Sequence, residues 1–327
     1  MIYLYFAAFL VAFVILFKSA TFFVDGACGI ARILNVPKMV IGIVLVGVGT
    51  TAPEFGVTLI AAIRGSGEIA IGNAIGSVIC DDGIALALAA IVAPGVIFVN
   101  CRILKAAGLF LIAIDVLAYI LARDGRLGRL EGLCLVLILC VYYVFVIVGQ
   151  RRYRSLHQKN GTGAPGPGLE PSGQADANLR RSAMLFLAGL IGVGSMSFVV
   201  VEAAIKIALY FKISEIIIGS TIVAIGTSLP EISTCITAAL KGEGEIAVGD
   251  IIGADILNIL WIIGVASLVK PIEVEPDIIN FAFPFMILVV VVMLLLLRIG
   301  CRLEKYKGFV LLGLYGVYVY LTLKLFV

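Results

Sequence analysis

Ten apolar runs, each long enough to cross a lipid bilayer, follow one another along this chain of 327 residues. A transmembrane helix needs about 20 mainly apolar residues. Soluble domains are about 45–50% apolar, whereas this chain is 62% hydrophobic. Because unpaired backbone groups cannot be satisfied in lipid, and the runs are too long for barrel strands, they predict helices. The runs lie near 2–24, 38–63, 68–92, 102–122, 128–149, 181–205, 213–240, 246–269, 275–297 and 308–326.

The middle of the chain has a different composition. Residues 155–179 are rich in glycine, proline and polar residues, which predicts a flexible linker. The predicted organisation is a first five-helix unit (1–150), a cytoplasmic linker (151–180) and a second five-helix unit (181–327). The apolar runs make the lipid bilayer an expected partner. The formal net charge of +3 is spread over the loops, so nucleic acid is not expected as a partner.

The two halves of the chain are related by an internal repeat. GTTAPE at 49–54 matches GTSLPE at 226–231, and GEIAIGNAIGS at 67–77 matches GEIAVGDIIGA at 244–254. Both matches have an offset of 177 residues, which holds without a gap from Asp25/Glu202 onward. A gapless repeat that keeps several polar positions indicates duplication.

The number of spans between the copies predicts their orientation. The repeated motifs cover about 42–92 and 219–269, and five crossings separate their starts. Because five is odd, the copies should face opposite ways. The predicted fold is therefore all-α, with ten transmembrane helices arranged as two inverted five-helix repeats. Transporters commonly use this arrangement, with a site near the midplane where broken helices meet.

Basic residues predict which side of the membrane each loop occupies. Lysine and arginine cluster at the linker flanks and in the loops on the same side, which the positive-inside rule assigns to the cytoplasm. This predicts a multi-pass protein of the cell (plasma) membrane with both termini outside. Three arginines, at 123, 126 and 129, oppose this assignment and are outnumbered. The supporting residues are Arg32, Lys38, Arg102, Lys105, Arg151, Arg152, Arg154, Lys159, Arg180, Arg181, Arg298, Arg302, Lys305 and Lys307.

Two prolines interrupt the repeated spans at matched positions. Pro53 and Pro230 have no N–H, so the carbonyls of Gly49 and Gly226 lose their helical partners. Free carbonyls at membrane depth are tolerated only where protein buries them or a polar cavity receives them. In such a place they can coordinate a cation.

Polar side chains surround both prolines at helical spacing. Thr50, Thr51 and Glu54 share one helix face, and Thr227, Ser228 and Glu231 repeat the pattern. The next spans add Ser77 and Asp81 in the first copy and Asn258 in the second. Each carboxylate at mid-bilayer costs at least about 2.5 kcal/mol, which packing alone does not explain. Oxygen donors without a His or Cys set suit calcium, and suit sodium or magnesium less distinctively.

Other acids and the cysteines have weaker predictions. Asp25 and Glu202 are either gate residues or interfacial charges, and both interpretations stay open. Asp82 and Asp255 adjoin site positions, but neighbouring helical residues point about 100° apart, so neither should share the site face. Asp115 is predicted to make a helix–helix hydrogen bond. The seven cysteines, which lie singly, are predicted to be small buried hydrophobic residues.

These residues resemble the two repeats of the calcium/cation antiporter superfamily, and most closely its prokaryotic sodium/calcium exchanger branch. GTTAPE with GNAIGS, and GTSLPE with GDIIGA, carry the resemblance. It implies that sodium and calcium compete for one central cluster and that alternating access carries each across. It also implies that spans 1 and 6 slide against the rest.

The resemblance assigns roles to individual residues. Glu54 and Glu231 would be the central acids. The hydroxyl ligands would be Thr50, Thr51, Ser77, Thr227 and Ser228. Carbonyls near Gly47 and Ala224 would complete the cation sites. The calcium ligand set would centre on Glu54, Glu231, Asp81, Thr50 and Thr227.

The chain departs from the family pattern at two places. The family usually has Asn at the position of Asp81 and Asp at that of Asn258, so the two appear exchanged between the halves. Ala254 stands where the pattern has Ser, which removes one hydroxyl and leaves the use of sodium open.

The leading hypothesis is a sodium-driven calcium antiporter without enzymatic activity or a cofactor. A calcium/proton exchanger is the alternative, because a carboxylate crowded by like charge can carry a proton. An intramembrane hydrolase with two acids would not need mirrored hydroxyl–carboxylate faces, and a channel would not need an inverted pair of broken helices. The oligomeric state stays open.

Overall fold

A computed structural model describes residues 2–159, 172–211 and 224–326, which are almost entirely helical. The helices are α1 (Ile2–Ile33), α2 (Lys38–Thr50), α3 (Ala52–Arg64), α4 (Gly67–Cys80, continued by Asp81–Leu86 and Ala87–Val92), α5 (Cys101–Ala122), α6 (Arg129–Lys159), α7 (Ser172–Tyr210), α8 (Ala224–Thr227), α9 (Leu229–Leu240), α10 (Gly244–Leu257, continued by Asn258–Ile263 and Gly264–Val269), α11 (Ile278–Ala282 and Phe283–Arg298) and α12 (Lys305–Phe326).

Two short antiparallel ribbons join the loops between helices. β1 (Ile97–Phe98) pairs with β4 (Arg302–Leu303), and β2 (Arg126–Leu127) pairs with β3 (Ile272–Glu273). Because α5 runs from β1 to β2 and has 22 residues, the two ribbons lie at opposite ends of a helix about 33 Å long.

Eight helices in the described part of the chain are long and apolar enough to cross a membrane, or nine if the bent pair α2–α3 counts as one span. The prediction of an all-helical membrane protein is therefore confirmed. The prediction of ten spans stays a prediction, because much of the seventh span falls on residues 212–223, outside the described residues.

The sequence repeat is also a repeat of helix boundaries. α3 begins at Ala52 and α9 at Leu229, an offset of 177. α4 and α10 each change into a π-helical segment at the same matched position, Asp81 and Asn258. The duplication inferred from sequence therefore includes the local helix irregularities.

The described part of the predicted linker is helical. α6 continues to Lys159 and α7 begins at Ser172. Both helices therefore extend into the ends of the predicted linker, and the linker itself stays a prediction. The remainder, 160–171, lies outside the described residues.

Close helix crossings at glycines form the centre of the fold. Every described side chain of α10 from Ile246 to Leu257 is buried. An added Cβ at Gly249 would meet the carbonyl of Met39, and one at Gly253 would meet that of Ile43. Without side chains at these glycines, α2 lies directly against α10, as small residues allow in membranes.

The cysteine prediction is wrong for four of the seven residues. Cys101 and Cys301 form a disulfide with their Cα atoms 5.5 Å apart, beside the β1–β4 ribbon. Cys134 and Cys140 are exposed on the outer side of α6. The other three, Cys28, Cys80 and Cys235, are buried as predicted. Sequence distance hid the disulfide, since 200 residues separate its ends.

The glycine crossing generates the first testable prediction. Gly253→Ala should destabilise the protein by about 1–3 kcal/mol, because the added methyl group would collide with the Ile43 carbonyl. Thermal unfolding in detergent measures the loss. Gly316→Ala on α12 is the matched control, because an added Cβ there meets nothing within 4 Å. Equal midpoints for the two variants would contradict the close crossing.

Candidate functional site

Two helix breaks at matched positions build the site. α2 and α3 meet at Thr51, whose ψ of 4° is not helical, and the two helix axes bend by 48°. α8 and α9 meet at Ser228, whose ψ is 8°. Pro53 and Pro230 lie in the first turns of α3 and α9. The predicted interruption by the prolines is therefore observed in both copies.

Each helix break places a carboxylate in the first turn of the helix that follows. Glu54 lies in the first turn of α3 and Glu231 in that of α9. The positive end of a helix dipole favours negative charge there. Both residues are fully buried, and neither carboxylate oxygen of either one has a hydrogen-bond partner.

The two copies bring these acids together. Glu54 lies within electrostatic reach of Glu231 and Asp81, and Asp81 within reach of Glu231. Asp81 is also fully buried with both oxygens unpartnered, and it adjoins the Ser228 hydroxyl. Like charges buried this closely repel each other, so the cluster favours a bound cation that neutralises them.

A fourth acid, Asp250, belongs to this cluster and was missed by the sequence reasoning. Its Oδ1 accepts a hydrogen bond of 3.0 Å from the Thr50 hydroxyl, and it lies close to Glu54 and Glu231. Its repeat match is Asn73. The sequence repeat could have revealed this acid, because GNAIGS has the neutral Asn73 where GDIIGA has Asp250.

The Asn73/Asp250 pair has equivalent surroundings in both copies. Asn73 donates to the Thr58 hydroxyl at 3.0 Å, and the Cys235 thiol at the matching position lies 3.8 Å from Asp250 Oδ2. Thr227 donates to Asn73 Oδ1 at 3.5 Å, as Thr50 donates to Asp250. Each threonine at a helix break therefore reaches across to the other copy.

The π-helical segments explain the positions of Asp81 and Asn258. Each residue opens a π-helical segment in the middle of its helix, and both are fully buried. Neither amide atom of Asn258 has a hydrogen-bond partner. Such segments are rare and concentrate at functional sites. Asp81 and Asn258, which are exchanged relative to the family pattern, therefore occupy equivalent positions in the two repeat copies.

The remaining predicted residues differ in their environments. Ser77 is buried, and its hydroxyl lacks a hydrogen-bond partner. The Thr51 hydroxyl donates to the Gly47 carbonyl at 2.8 Å, so that carbonyl keeps only part of its accepting capacity. Ala224 begins α8, and only its backbone is described.

Asp82, Asp115 and Asp255 form a second buried group. The carboxyl groups of Asp82 and Asp255 face each other, and Asp115 lies near Asp82. All three are fully buried, and none of their carboxylate oxygens has a hydrogen-bond partner. The predicted helix–helix hydrogen bond of Asp115 is therefore not observed among the described residues, where its nearest charged neighbours are Asp82 and Asp255.

Acidic side chains alone do not complete a metal site. Within the described ranges, no three Asp, Glu, Cys or His side chains are arranged to hold a metal ion. A cation here would also need hydroxyl, amide and carbonyl oxygens, which the two helix breaks supply. Calcium accepts such mixed sets of six to eight oxygens.

The fold and the site together define a class of protein. This is a multi-pass membrane transport protein in which two broken helices meet around buried, unpartnered oxygen atoms.

Comparison with known proteins identifies the family. The family model described as sodium/calcium exchanger protein matches residues 4–148 and 181–324, and the chain belongs to this family. Inner membrane protein YrbG of Escherichia coli (strain K12) is 32% identical over 282 residues, covering 86% of this chain and 85% of that protein. Sodium/calcium exchanger MaX1 of Methanosarcina acetivorans is 30% identical, with 98% of both chains covered.

A solved structure supports the same assignment. The sodium–calcium exchanger NCX_Mj, soaked with 2.5 mM Na⁺ and 0.1 mM Ca²⁺, superposes with a TM-score of 0.82 at 28% identity. The match covers 98% of this chain and 99% of that one. The resemblance inferred from GTTAPE and GTSLPE is confirmed.

Asp250 generates the second prediction. Asp250→Asn should leave the stability of the cation-free protein about unchanged, because a buried carboxyl group without a cation is neutral and the amide keeps an acceptor for the Thr50 hydroxyl. The extra stability that calcium adds should shrink, because the site loses negative charge. Thermal unfolding with and without calcium measures both effects. Asp277→Asn, at an exposed helical residue just before Ile278, should change neither. A calcium effect of unchanged size in Asp250→Asn would remove Asp250 from the site.

Proposed function

We propose that this protein exchanges sodium for calcium across the membrane by alternating access. The observation that carries the proposal is the set of buried carboxylates without hydrogen-bond partners, Glu54, Asp81 and Glu231, at the two matched helix breaks. A buried carboxylate is stable only when it is neutralised or fully hydrogen-bonded. Transported cations would supply the neutralising charge.

Individual residues would share the coordination. Glu54 and Glu231 would bind calcium between the two copies, with Asp81 and Asp250 adding charge. Thr50 and Thr227 would orient the Asp250 and Asn73 side chains as well as offer hydroxyl oxygens. The other candidate oxygens are those of Thr51, Ser77, Ser228, Asn258 and the carbonyls of Gly47 and Ala224.

The two repeats would be inverted relative to each other. The turn at Gly67 packs against Glu273 in β3, whereas the matched turn at Gly244 packs against Ile97 in β1. Since the two ribbons lie at opposite ends of α5, matched turns lie at opposite ends of the protein. This supports an inverted arrangement, which gives the site equivalent routes to both sides.

Protons are the alternative driving ion. Ala254 offers no hydroxyl where the family pattern has one, and the cluster includes Asp250 as a fourth acid. An additional crowded carboxylate can carry a proton. We propose sodium as the driver because the family relation and most of the oxygen donors agree with it.

The driving ion is tested by calcium uptake into vesicles of the reconstituted protein. A sodium gradient should drive isotopic calcium uptake, and a pH gradient alone should not. Glu54→Gln and Glu231→Gln should each reduce uptake to background, because each removes a central charge. Uptake driven only by the pH gradient would replace the proposal with calcium/proton exchange, and near-normal uptake in either variant would remove that glutamate from the site.

The exchanged pair gives a separate prediction. Asp81→Asn should weaken calcium binding at least about tenfold, since outer-shell changes at metal sites already cost about 10–100-fold. Asn258→Ala should cost less, because it removes a neutral donor. Calcium titration of the purified variants compares the two. If Asn258→Ala were the more damaging change, the exchanged aspartate would not be a ligand.

The membrane orientation is also a proposal, and two features bear on it in opposite ways. Arg102 and Arg302 lie on the face that the positive-inside rule assigns to the cytoplasm. The disulfide of Cys101 and Cys301 lies on that same face, and disulfides are rare in the cytosol. We propose the cytoplasmic assignment, in which the cytosol would keep the two thiols reduced in growing cells.

Thiol labelling in intact cells tests the orientation. A membrane-permeant maleimide should modify Cys101 and Cys301 before lysis, and an impermeant one should not, because the face would be cytoplasmic. Mass spectrometry of the two peptides gives the modified fraction. A pair that is already oxidised in cells would favour the reverse orientation.

A further inference from the structure

Four charged residues occupy matched positions in the two repeat copies. They could form two equivalent ion pairs, Asp25–Lys241 and Glu202–Arg64, and the described part of the structure shows only the first. Asp25 and Glu202 are related by the offset of 177, and so are Arg64 and Lys241. Asp25 of α1 forms an ion pair with Lys241 at the end of α9. Glu202 of α7 instead lies 3.5 Å from Lys206, one turn further along its own helix. Arg64 is exposed and has no ion-pair partner among the described residues.

The packing around the two pairs is asymmetric in the same sense. α1 packs along α9, whereas α7 makes scarcely any contact with α3. Ser233 on α9 is buried, with 1% of its surface exposed. Its match on α3, Gly56, is partly exposed, and an added Cβ would meet nothing within 4 Å. Among the described residues, the helix that leads to Lys241 is therefore covered at this position, and the helix that leads to Arg64 is not.

The two helices that carry the acids form one antiparallel pair. Gly189 of α7 packs against Phe23 of α1, and Gly26 of α1 packs against Phe186 of α7. At this register, Glu202 is level with about the tenth residue of the chain, so the two acids lie about 23 Å apart along the pair. A tightly packed pair carries both acids when it moves.

The two basic residues also lie far apart. Arg64 precedes the turn that packs against β3, and Lys241 precedes the turn that packs against β1. The ribbons lie at opposite ends of α5, so each basic residue serves one end of the protein. Asp25 on α1 lies near the end that holds Lys241, and Glu202 on α7 lies towards the end that holds Arg64.

We propose that Asp25–Lys241 and Glu202–Arg64 are two alternating ion-pair latches, each of which closes one end of the protein. Movement of the α1–α7 pair away from α9 and towards α3 breaks the first latch and forms the second. Both members of the existing pair are partly exposed, and such ion pairs are weak. A weak latch biases the equilibrium between the two closed states without trapping either.

The role of the latches in transport rests on the proposed function, but their exclusive pairing can be measured without transport. One added cysteine, Gly56→Cys or Ser233→Cys, reports how accessible each of these two positions is. In vesicles, an impermeant maleimide applied to each face in turn should label Gly56→Cys quickly and Ser233→Cys slowly. The parent chain, with its native cysteines, gives the background.

Breaking the formed latch should open the closed end. Lys241→Gln or Asp25→Asn should raise labelling of Ser233→Cys about two- to fivefold, the ratio that an exposed ion pair typically contributes. The charge-reversed double variant Asp25→Lys with Lys241→Asp should restore slow labelling. Lys305→Gln, an exposed basic residue of the same face, is the control and should leave labelling unchanged.

The matched pair should respond in the opposite sense. Arg64→Gln or Glu202→Gln should leave Gly56→Cys at least as accessible as before and should lower labelling of Ser233→Cys. If Ser233→Cys does not accumulate, Thr237→Cys, one helical turn further along α9, serves as the reporter. Labelling that ignores both pairs, or a reversed pair that fails to restore it, would overturn the proposal.

Calcium titration of the same variants separates this inference from the proposed function. If the parent chain binds calcium but the ion-pair variants do not change cysteine labelling, the latches are refuted and the proposed function is not. Absence of calcium binding, with labelling that follows the ion pairs, would refute the proposed transport and keep the latches.

Discussion

The burial of several like charges at one place is the constraint on which the rest of this structure depends. Glu54, Asp81, Glu231 and Asp250 are all fully buried and within electrostatic reach of one another. Such a cluster is unfavourable in a membrane interior, and the surrounding fold reduces that cost. Helix N-termini point at two of the carboxylates, and threonine hydroxyls reach across between the copies. Close glycine crossings keep lipid away from the cluster.

Duplication explains why a single chain can build this cluster. One broken helix would bury one carboxylate without any group to neutralise it or donate a hydrogen bond to it. Two copies bring two helix breaks together, so each supplies donors to the other, as Thr50 does for Asp250 and Thr227 for Asn73. The copies are no longer identical, however. The charge lies at Asp81 in one π-helical segment and at Asp250 in the other copy, so the site is symmetric in shape and asymmetric in charge.

Much of this could be predicted from the sequence, for physical reasons that are local. Span-length apolar runs predict membrane helices, and a proline four residues after a glycine predicts a helix break. The π-helical segments at Asp81 and Asn258 could not be predicted, because they depend on packing between helices. The second acid group was missed for the same reason, since Asp115 is distant in sequence from Asp82 and Asp255. The Cys101–Cys301 disulfide joins loops that only the folded chain brings together.

The short turn between α1 and α2 has a mechanical consequence. Residues 34–37 are folded on themselves, with Asn35 at a positive φ of 49° and Val36 donating to the Ala31 carbonyl. Fully extended, the five steps from Ile33 to Lys38 would span about 18 Å at most, at about 3.6 Å per residue. The turn therefore acts as a tether with a few residues of slack. If the α1–α7 pair moves as proposed while α2 stays packed against α10, the length of this turn limits how far α1 can move.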